Sequence, residues 1–217
     1  MDNLREHINK LRKDFALETL QEDSVNPNPI VQFEHWFNQA MQAQVPDMNA
    51  FDLATISQNG EPGIRILYLR DFSSEGFVFY TNYNSQKGMD MEYNPKVCMN
   101  FFWPQMERQI RIQGTAKKQN TEDSDLYFNS RPRESQIGAW ASSQSSVIKS
   151  REELEKKVVQ LGKKYKGKDI PRPPHWGGYI IHPSKIEFWQ GRPSRLHDRI
   201  LYSHDGNKQW KIQRLAP

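Results

Sequence analysis

The sequence predicts a mainly β protein of the α+β class, in which an antiparallel, barrel-like sheet carries helices at its periphery. Six or more segments are rich in β-branched and aromatic residues, as strands usually are. Short turn-forming stretches join several of these segments, which makes successive strands antiparallel. Helical periodicity is confined to segments outside the strands, so the helices are expected at the edges of the sheet.

The predicted strands follow one another closely along the chain. The first two, residues 51–57 and 62–70, form a hairpin around the Asn59-Gly60 turn. Further strands are predicted at residues 77–82, 96–103, 108–118, 179–181, 185–190, 195–202 and 209–215. The last four of these segments are expected to form a C-terminal meander.

Two helices are predicted ahead of the sheet. Apolar residues recur at helical spacing from Leu4 to Phe15, and a second helix begins at the Asn28-Pro29 cap and runs to Met41. Three more helices are predicted to begin at Ser85, Thr121 and Ser150. We divide the chain into an N-terminal helical segment, residues 1–28, and a single domain, residues 29–217.

Composition limits the partners of this chain. Thirty Lys and Arg residues against 26 Asp and Glu residues give a net charge of +4, which favours small anionic ligands and is too low to demand nucleic acid. Cys98 is the only cysteine, so an internal disulfide and a multi-cysteine metal site are excluded and a reducing cytoplasm is expected. No metal site and no membrane-spanning segment are predicted.

Several cations lie beside aromatic and hydroxyl residues, as in phosphate-binding sites. Arg65 and Arg70 flank an apolar strand, and Lys87 lies near a helix start, where free N–H groups favour an anion. Tyr127, Arg131 and Ser135 recur at spacings of four, which indicates convergence on one small anion. Together these residues supply donors for two separate phosphate groups.

Arg195, His197 and Arg199 occupy alternate positions in the segment 195–202. On a strand the three side chains would share one face, about 7 Å apart. Such a row of cations repels itself unless an anion lies over it, so we expect this face to contact a ligand.

Five motifs carry a resemblance to a known family. They are RILYLR (65–70), FYTNYNSQK (79–87), ERQIRIQG (107–114), SRPRESQIGAWAS (130–142) and FWQGRPSRLHDR (188–199). In this order they resemble the pyridoxamine (pyridoxine) 5′-phosphate oxidases, and the resemblance covers nearly the whole chain. It implies an FMN-binding split β-barrel and a homodimer with FMN at the interface. It also implies oxidation of pyridoxamine or pyridoxine 5′-phosphate to pyridoxal 5′-phosphate by O2, with release of H2O2.

The resemblance also implies a role for individual residues. Arg195 and His197 would act on the substrate beside the carbon that gives up hydride, and residues 1–28 would form a lid in which only Arg12 is carried over as a polar contact. The substrate phosphate would be bound by Arg70, Tyr127, Arg131 and Ser135. FMN would be contacted by Arg65, Ile66, Leu67, Tyr68, Leu69, Arg70, Tyr80, Thr81, Gln86, Lys87, Gln109, Gln144, Ser145, Trp189 and Arg199.

Three positions depart from the common family pattern: Arg70 replaces a Lys, Gln86 replaces an Arg, and Phe15 replaces a Tyr. Gln86 removes one charge from the expected FMN phosphate site. Two alternatives stay open from the sequence: a split-barrel FMN-binding protein with another substrate or none, and a basic nucleic-acid-binding domain. The complete substrate-phosphate set and the low net charge weigh against them.

Overall fold

The computed structural model describes residues 2–11, 14–204 and 209–217. These residues form two compact units. The first unit comprises Met1–Met48, Asn100–Ile112 and Lys185–Pro217, and the second comprises Asn49–Met99 and Gln113–Ser184. The division of the chain at residue 28 stays a prediction.

Helices and strands follow the chain in a mixed order. The helices are Asp2–Lys10 (α1), Pro29–Gln42 (α2), Gln86–Tyr93 (α3), Thr121–Ser130 (α4), Arg133–Ala141 (α5) and Arg151–Lys164 (α6). The strands are Ala50–Ile56 (β1), Pro62–Tyr68 (β2), Asp71–Ser73 (β3), Gly76–Asn82 (β4), Lys96–Trp103 (β5), Arg108–Lys118 (β6), Trp176–Gln190 (β7), Asp198–His204 (β8) and Trp210–Arg214 (β9).

The strands form one sheet in the order β2-β1-β5-β6-β7-β4-β3, with β8 paired to β7 and β9 paired to β8. In the second unit, β1 pairs antiparallel with β2, and β4 pairs antiparallel with residues 176–181 of β7. In the first unit, residues 185–190 of β7 pair antiparallel with β8, which places Trp189 opposite Arg199. The predicted antiparallel α+β class is confirmed.

Several local predictions are confirmed by hydrogen bonds. The β1–β2 turn closes through the Ser57 N–H, which donates to the Glu61 carbonyl at 2.9 Å, and Gly60 supplies the left-handed residue with a φ of 81°. Asn28 caps α2 by accepting a hydrogen bond from the Ile30 N–H at 2.9 Å. Ser85 caps α3 in the same way through the Gly88 N–H.

Other predictions are wrong at their boundaries. The first helix ends at Lys10 and does not reach Phe15, because Leu4, Ile8 and Leu11 are exposed and burial of an apolar face does not stabilise a longer helix. The two strands predicted at 179–181 and 185–190 are one continuous strand, β7. Helix α5 was not predicted, because no side chain caps it and its apolar residues are few.

Each unit has an aromatic core. In the first unit, Phe33 of α2 packs edge-on against Phe101, and Trp36 packs edge-on against Phe188. In the second unit, the buried residues Phe128, Ile137, Tyr165, Ile170 and Trp176 form one cluster. This cluster fixes α4, α5 and the segment after α6 against the start of β7, and so it fixes the side chains that these elements carry. Within the described parts of the chain, no helix is long and apolar enough to cross a membrane.

Candidate functional site

A cavity of about 420 Å³ lies in the second unit, between β2, β4, α4 and α5. Many of the residues predicted for ligand binding line it: Ile66, Leu67, Tyr68, Arg70, Tyr80, Thr81, Tyr127, Arg131, Ser135 and Gln144. Arg70, from the link between β2 and β3, and Tyr127, Arg131 and Ser135, from the α4–α5 region, therefore meet on one cavity, which brings the predicted substrate-phosphate set together. The roles of these residues stay predictions.

Arg131 is the most unusual side chain of this cavity. Its Nη1 atom is buried and has no hydrogen-bond partner. Its guanidinium carbon lies 4.5 Å from the centre of the Trp176 ring. Burial lowers the pKa of Arg131, the neighbouring Tyr127 raises it, and the charge of Arg70 lowers it further. A buried cation with an unused donor needs an acceptor, and an anionic ligand provides one.

Tyr80, Tyr127 and Trp176 form an aromatic stack, and the Arg131 guanidinium packs against its Trp176 ring. The Tyr80 and Tyr127 rings lie 3.8 Å apart at 14°, and the Tyr127 and Trp176 rings lie 6.2 Å apart at 3°. Tyr80 and Trp176 are tied to the core through β4 and β7, which pair in this region. The stack holds the cation in a nearly fixed position because neither strand can shift without breaking the ladder.

Lys87 does not line the cavity itself but contacts Thr81, which does. Its buried Nζ atom donates to Ser85 Oγ at 3.2 Å and to Thr81 Oγ1 at 3.4 Å. Thr81 in turn lies 3.5 Å from Gln144 Oε1. Burial, together with the charge of Arg65, lowers the pKa of Lys87 to about 8, although Asp90 acts in the opposite direction. This ammonium group is partly desolvated, so an anion that neutralises it is bound favourably.

Arg65 projects from β2 towards buried Asp90. It donates to Thr55 Oγ1 at 2.7 Å and to the Leu53 carbonyl at 3.1 Å, and it lies 3.8 Å from Asp90 Oδ2. Thr55 also donates to Asp90 at 2.6 Å. These bonds fix the guanidinium group, and burial lowers its pKa. Arg65 and Lys87 are thus two pre-positioned cations of one cluster, and their predicted contact with the FMN phosphate stays a prediction.

The remaining predicted residues of the second unit are Gln86, Ser145 and Leu69. The Gln86 N–H donates to Ser145 Oγ at 3.2 Å, while the Gln86 side chain donates to Asp90 at 2.8 Å. Leu69 is buried, and its N–H is bonded to the Asn49 carbonyl. Ser145 has a φ of 72°, an uncommon conformation outside glycine.

The predicted row of Arg195, His197 and Arg199 is wrong as a strand. Residues Pro193–Arg195 form a 3₁₀ turn, Arg195 has a φ of 63°, and β8 begins only at Asp198. Alternate positions therefore do not point to one face. The physical reason is the Gly191-Arg192-Pro193 stretch, whose proline lacks the N–H that a ladder needs.

Arg195 and His197 nevertheless lie together, on a cavity of about 860 Å³ in the first unit that Phe15 also lines. His197 Nδ1 accepts a hydrogen bond from the Arg192 N–H at 3.1 Å, which leaves Nε2 as the position for a proton. Burial and the charge of Arg195 lower the pKa of His197, so the neutral ring is favoured.

Arg199 lies on β8 and is bound by a carboxylate. Its Nε donates to Glu187 Oε1 at 2.8 Å, and its Nη1 donates to the Ala216 carbonyl at 2.8 Å. Arg111 of β6 binds the same carboxylate. Burial alone would raise the pKa of Glu187, but the two arginines outweigh it and the pKa is lowered.

Gln109 of β6 and Trp189 of β7 are half-buried in the first unit. Arg12 lies outside the described residues. Trp176 was not predicted as a site residue, but it lines the first cavity and its ring packs against the Arg131 guanidinium. Its position at the end of a Pro-rich link gave no periodic signal.

The fold defines a split-barrel protein, and its cationic, aromatic-walled cavity has the chemistry that suits an anionic ligand. The chain belongs to the pyridoxamine 5′-phosphate oxidase family and is an oxidoreductase, because residues 37–165 match the family described as "Pyridoxamine 5'-phosphate oxidase". Residues 176–217 match the "Pyridoxine 5'-phosphate oxidase C-terminal dimerisation region".

Relatives support the same assignment over the full length. The pyridoxine/pyridoxamine 5′-phosphate oxidase of Gloeothece citriformis is 52% identical over 97% of this chain and 98% of its own length. The enzyme of the same name from Nostoc sp. is 50% identical over the same shares. The structure of PhzG from Burkholderia lata 383, in complex with tetrahydrophenazine-1-carboxylic acid, superposes with a TM-score of 0.87 at 29% identity, covering 93% of this chain and 99% of PhzG.

Proposed function

We propose that this protein is an FMN-dependent oxidase that converts pyridoxamine and pyridoxine 5′-phosphate to pyridoxal 5′-phosphate with O2, releasing H2O2. One observation carries the choice of a phosphorylated substrate. Arg131 keeps a buried, unpartnered donor in a cavity that it shares with Arg70, Tyr127 and Ser135. In the described parts of the chain neither arginine pairs with a carboxylate, so both charges are available to a phosphate.

The donor set fits FMN. Lys87 and Arg65 supply charge, and Thr81 supplies a hydroxyl, which suits one terminal monophosphate. Trp189 and Gln109 offer a ring and an amide of the kinds that contact an isoalloxazine. These residues would hold FMN together with Ile66, Leu67, Tyr68, Leu69, Arg70, Tyr80, Gln86, Gln144, Ser145 and Arg199.

Bound FMN supplies a two-electron acceptor that O2 can reoxidise. The chain positions the substrate through its phosphate, excludes water with aromatic side chains, and keeps His197 neutral. Arg195, which is exposed and has no carboxylate partner among the described residues, would place positive charge beside the reacting carbon. No covalent nucleophile is required.

A second copy of the chain would complete this site. The C-terminal match is a dimerisation region by its description. Ile64, Ile66 and Tyr68 stand on one face of β2, which ends the sheet, and all three are exposed. An exposed apolar stripe on an edge strand indicates a partner surface. We propose a homodimer with FMN at the interface, located in the cytoplasm.

FMN binding should weaken as the pH rises above about 8, where Lys87 loses its proton. The pKa of Lys87 in the apo-protein is lowered, so FMN affinity is flat below pH 8 and then falls by up to about tenfold per pH unit. Titration of apo-protein with FMN between pH 7 and 9.5 measures this. Lys87→Gln should bind FMN weakly and lose the pH dependence. A wild-type profile that stays flat through pH 9.5 would show that Lys87 does not contact the phosphate.

The function is tested by the absorption spectrum of the purified protein. It should be yellow, and heat should release a flavin with the mass of FMN. Pyridoxamine 5′-phosphate added without oxygen should bleach the flavin, and air should restore it. A protein that fails to bind FMN even after reconstitution, or whose bound flavin is not reduced by either phosphorylated substrate, does not have the proposed activity.

A further inference from the structure

Residues 14–19 form an extended segment that crosses the surface of the first unit. Of these residues only Phe15 is half-buried, and the others are exposed. Burial therefore does little to hold the segment, and specific bonds must do so. Glu107 provides two such bonds: its Oε2 atom accepts from the Ala16 N–H at 2.9 Å and from the Leu17 N–H at 3.1 Å.

Glu107 occupies a position that favours glycine. It lies in the turn between β5 and β6 and has a φ of 55°. Non-glycine residues rarely adopt this conformation, and at the corresponding position of a hairpin turn glycine is the common choice. The residue is also 3% exposed, so a carboxylate is kept in a buried place where it is costly. An unfavourable conformation and a buried charge at one residue indicate a functional constraint.

The anchored segment contains Phe15, which lines the cavity of the first unit together with Arg195 and His197. The Phe15 ring packs edge-on against His197, with centroids 5.5 Å apart, and against Trp189, with centroids 5.8 Å apart. The ring centroids of Trp189 and His197 lie 4.6 Å apart. Gly191 leaves the room for this arrangement, since a Cβ atom there would lie 2.6 Å from Phe15 Cδ1.

Glu107 also binds the segment that leads to His197. Its carbonyl accepts from the Gly191 N–H at 2.7 Å and from Gln190 Nε2 at 3.2 Å. One residue therefore fixes both the segment that carries Phe15 and the segment that leads to His197. We propose that Glu107 is a positioning residue that fastens residues 14–17, so that Phe15 packs against His197 and Trp189 and holds the imidazole in its reactive orientation.

The charges around His197 determine what loosening the segment would do. Arg195, Arg192 and Asp14 line the same cavity, and Asp198 follows His197 and binds Arg192 and Arg214. Of these groups, only Asp14 belongs to the segment that Glu107 anchors. Loss of Phe15 from the ring would expose His197 to water, and the pKa of His197, which burial lowers, would rise towards its ordinary value.

The test compares the FMN-loaded wild-type enzyme with Glu107→Gly, Glu107→Gln and Gly191→Ala, and with the control Glu155→Gln at an exposed position of α6. Glu107→Gly relieves the turn conformation, so its thermal midpoint should hold or rise while amide exchange at Ala16 and Leu17 accelerates at least about tenfold. Its His197 should titrate at higher pH by NMR, and kcat/KM should fall about tenfold at unchanged flavin occupancy. Glu107→Gln should give an exchange rate, a His197 titration and a kcat/KM between those of Glu107→Gly and those of the wild type. Gly191→Ala should reproduce the His197 shift by displacing Phe15, and Glu155→Gln should change nothing.

The inference fails if Glu107→Gly leaves both the exchange of Ala16 and Leu17 and the His197 titration at wild-type values. The inference rests on the proposed role of His197 in substrate oxidation. Exchange and titration do not depend on turnover, so an inactive wild-type protein would refute the proposed function while these two measurements still decide the anchoring.

Discussion

Replacing Arg131 by alanine should lower kcat/KM for pyridoxamine 5′-phosphate by about 100- to 1000-fold while FMN stays bound. The substrate phosphate would lose a partly buried guanidinium whose donor has no protein partner. One charge-assisted hydrogen bond contributes about 1.5–3 kcal/mol, and a bidentate contact contributes more. The loss should fall on the phosphorylated substrate alone, so the preference over unphosphorylated pyridoxamine should nearly disappear. Steady-state oxidation of both compounds measures this.

Arg133 provides the matched control. It lies two positions away, but its guanidinium donates to the Lys168 and Tyr165 carbonyls, and it does not line the cavity. Arg133→Ala should lower the melting temperature and leave substrate preference unchanged. If Arg131→Ala and Arg133→Ala have the same kinetic effect, Arg131 acts through the fold and does not bind the phosphate.

Removing Arg195 and removing Arg199 should produce different defects, although the two residues are only four positions apart. Arg199→Ala should weaken FMN binding by about 10- to 100-fold, and excess FMN should restore part of the activity. Arg195→Ala should keep its flavin and reduce it about 10- to 100-fold more slowly. Flavin occupancy by absorbance and anaerobic reduction by stopped flow separate these outcomes.

Glu187 complicates the Arg199 variant, because it would be left buried with one arginine instead of two. Arg111→Ala removes the other partner of the same carboxylate and serves as the control. Both variants should be less stable, since a buried carboxylate with incomplete pairing is costly. Only Arg199→Ala should lose FMN affinity. Equal FMN loss in the two variants would mean that Arg199 supports Glu187 and does not touch the flavin.

The elements with strong local signals could be predicted from the sequence. The β1–β2 hairpin followed from Asn59-Gly60, and α2 followed from Asn28 and Pro29, because turn and cap chemistry is decided within a few residues. Helix α5 could not be predicted in this way. It has no capping side chain, and it is held by packing against residues such as Tyr165 that arrive from later in the chain.

The same distinction applies to the site. Arg70, Tyr127, Arg131 and Ser135 were predicted as a set, and the structure places all four on one cavity. The alternation of Arg195, His197 and Arg199 was misleading, because spacing indicates a shared face only where a ladder exists. Trp176 carried no sequence signal, and Glu107 lies in the ERQIRIQG motif without any sign of its own role, since the contacts of both residues join segments that are far apart in the chain.

Ser85 has a consequence for the proposed flavin phosphate site. A hydroxyl group can donate one hydrogen bond and accept two. Ser85 donates to the Asn82 carbonyl at 2.7 Å and accepts from the Gly88 N–H and from Lys87 Nζ. Its bonding capacity is therefore already saturated within the protein. Ser85 orders the helix start and the ammonium group, and in the proposed complex the oxygens of the phosphate would be left to Lys87, Thr81 and the cations around them.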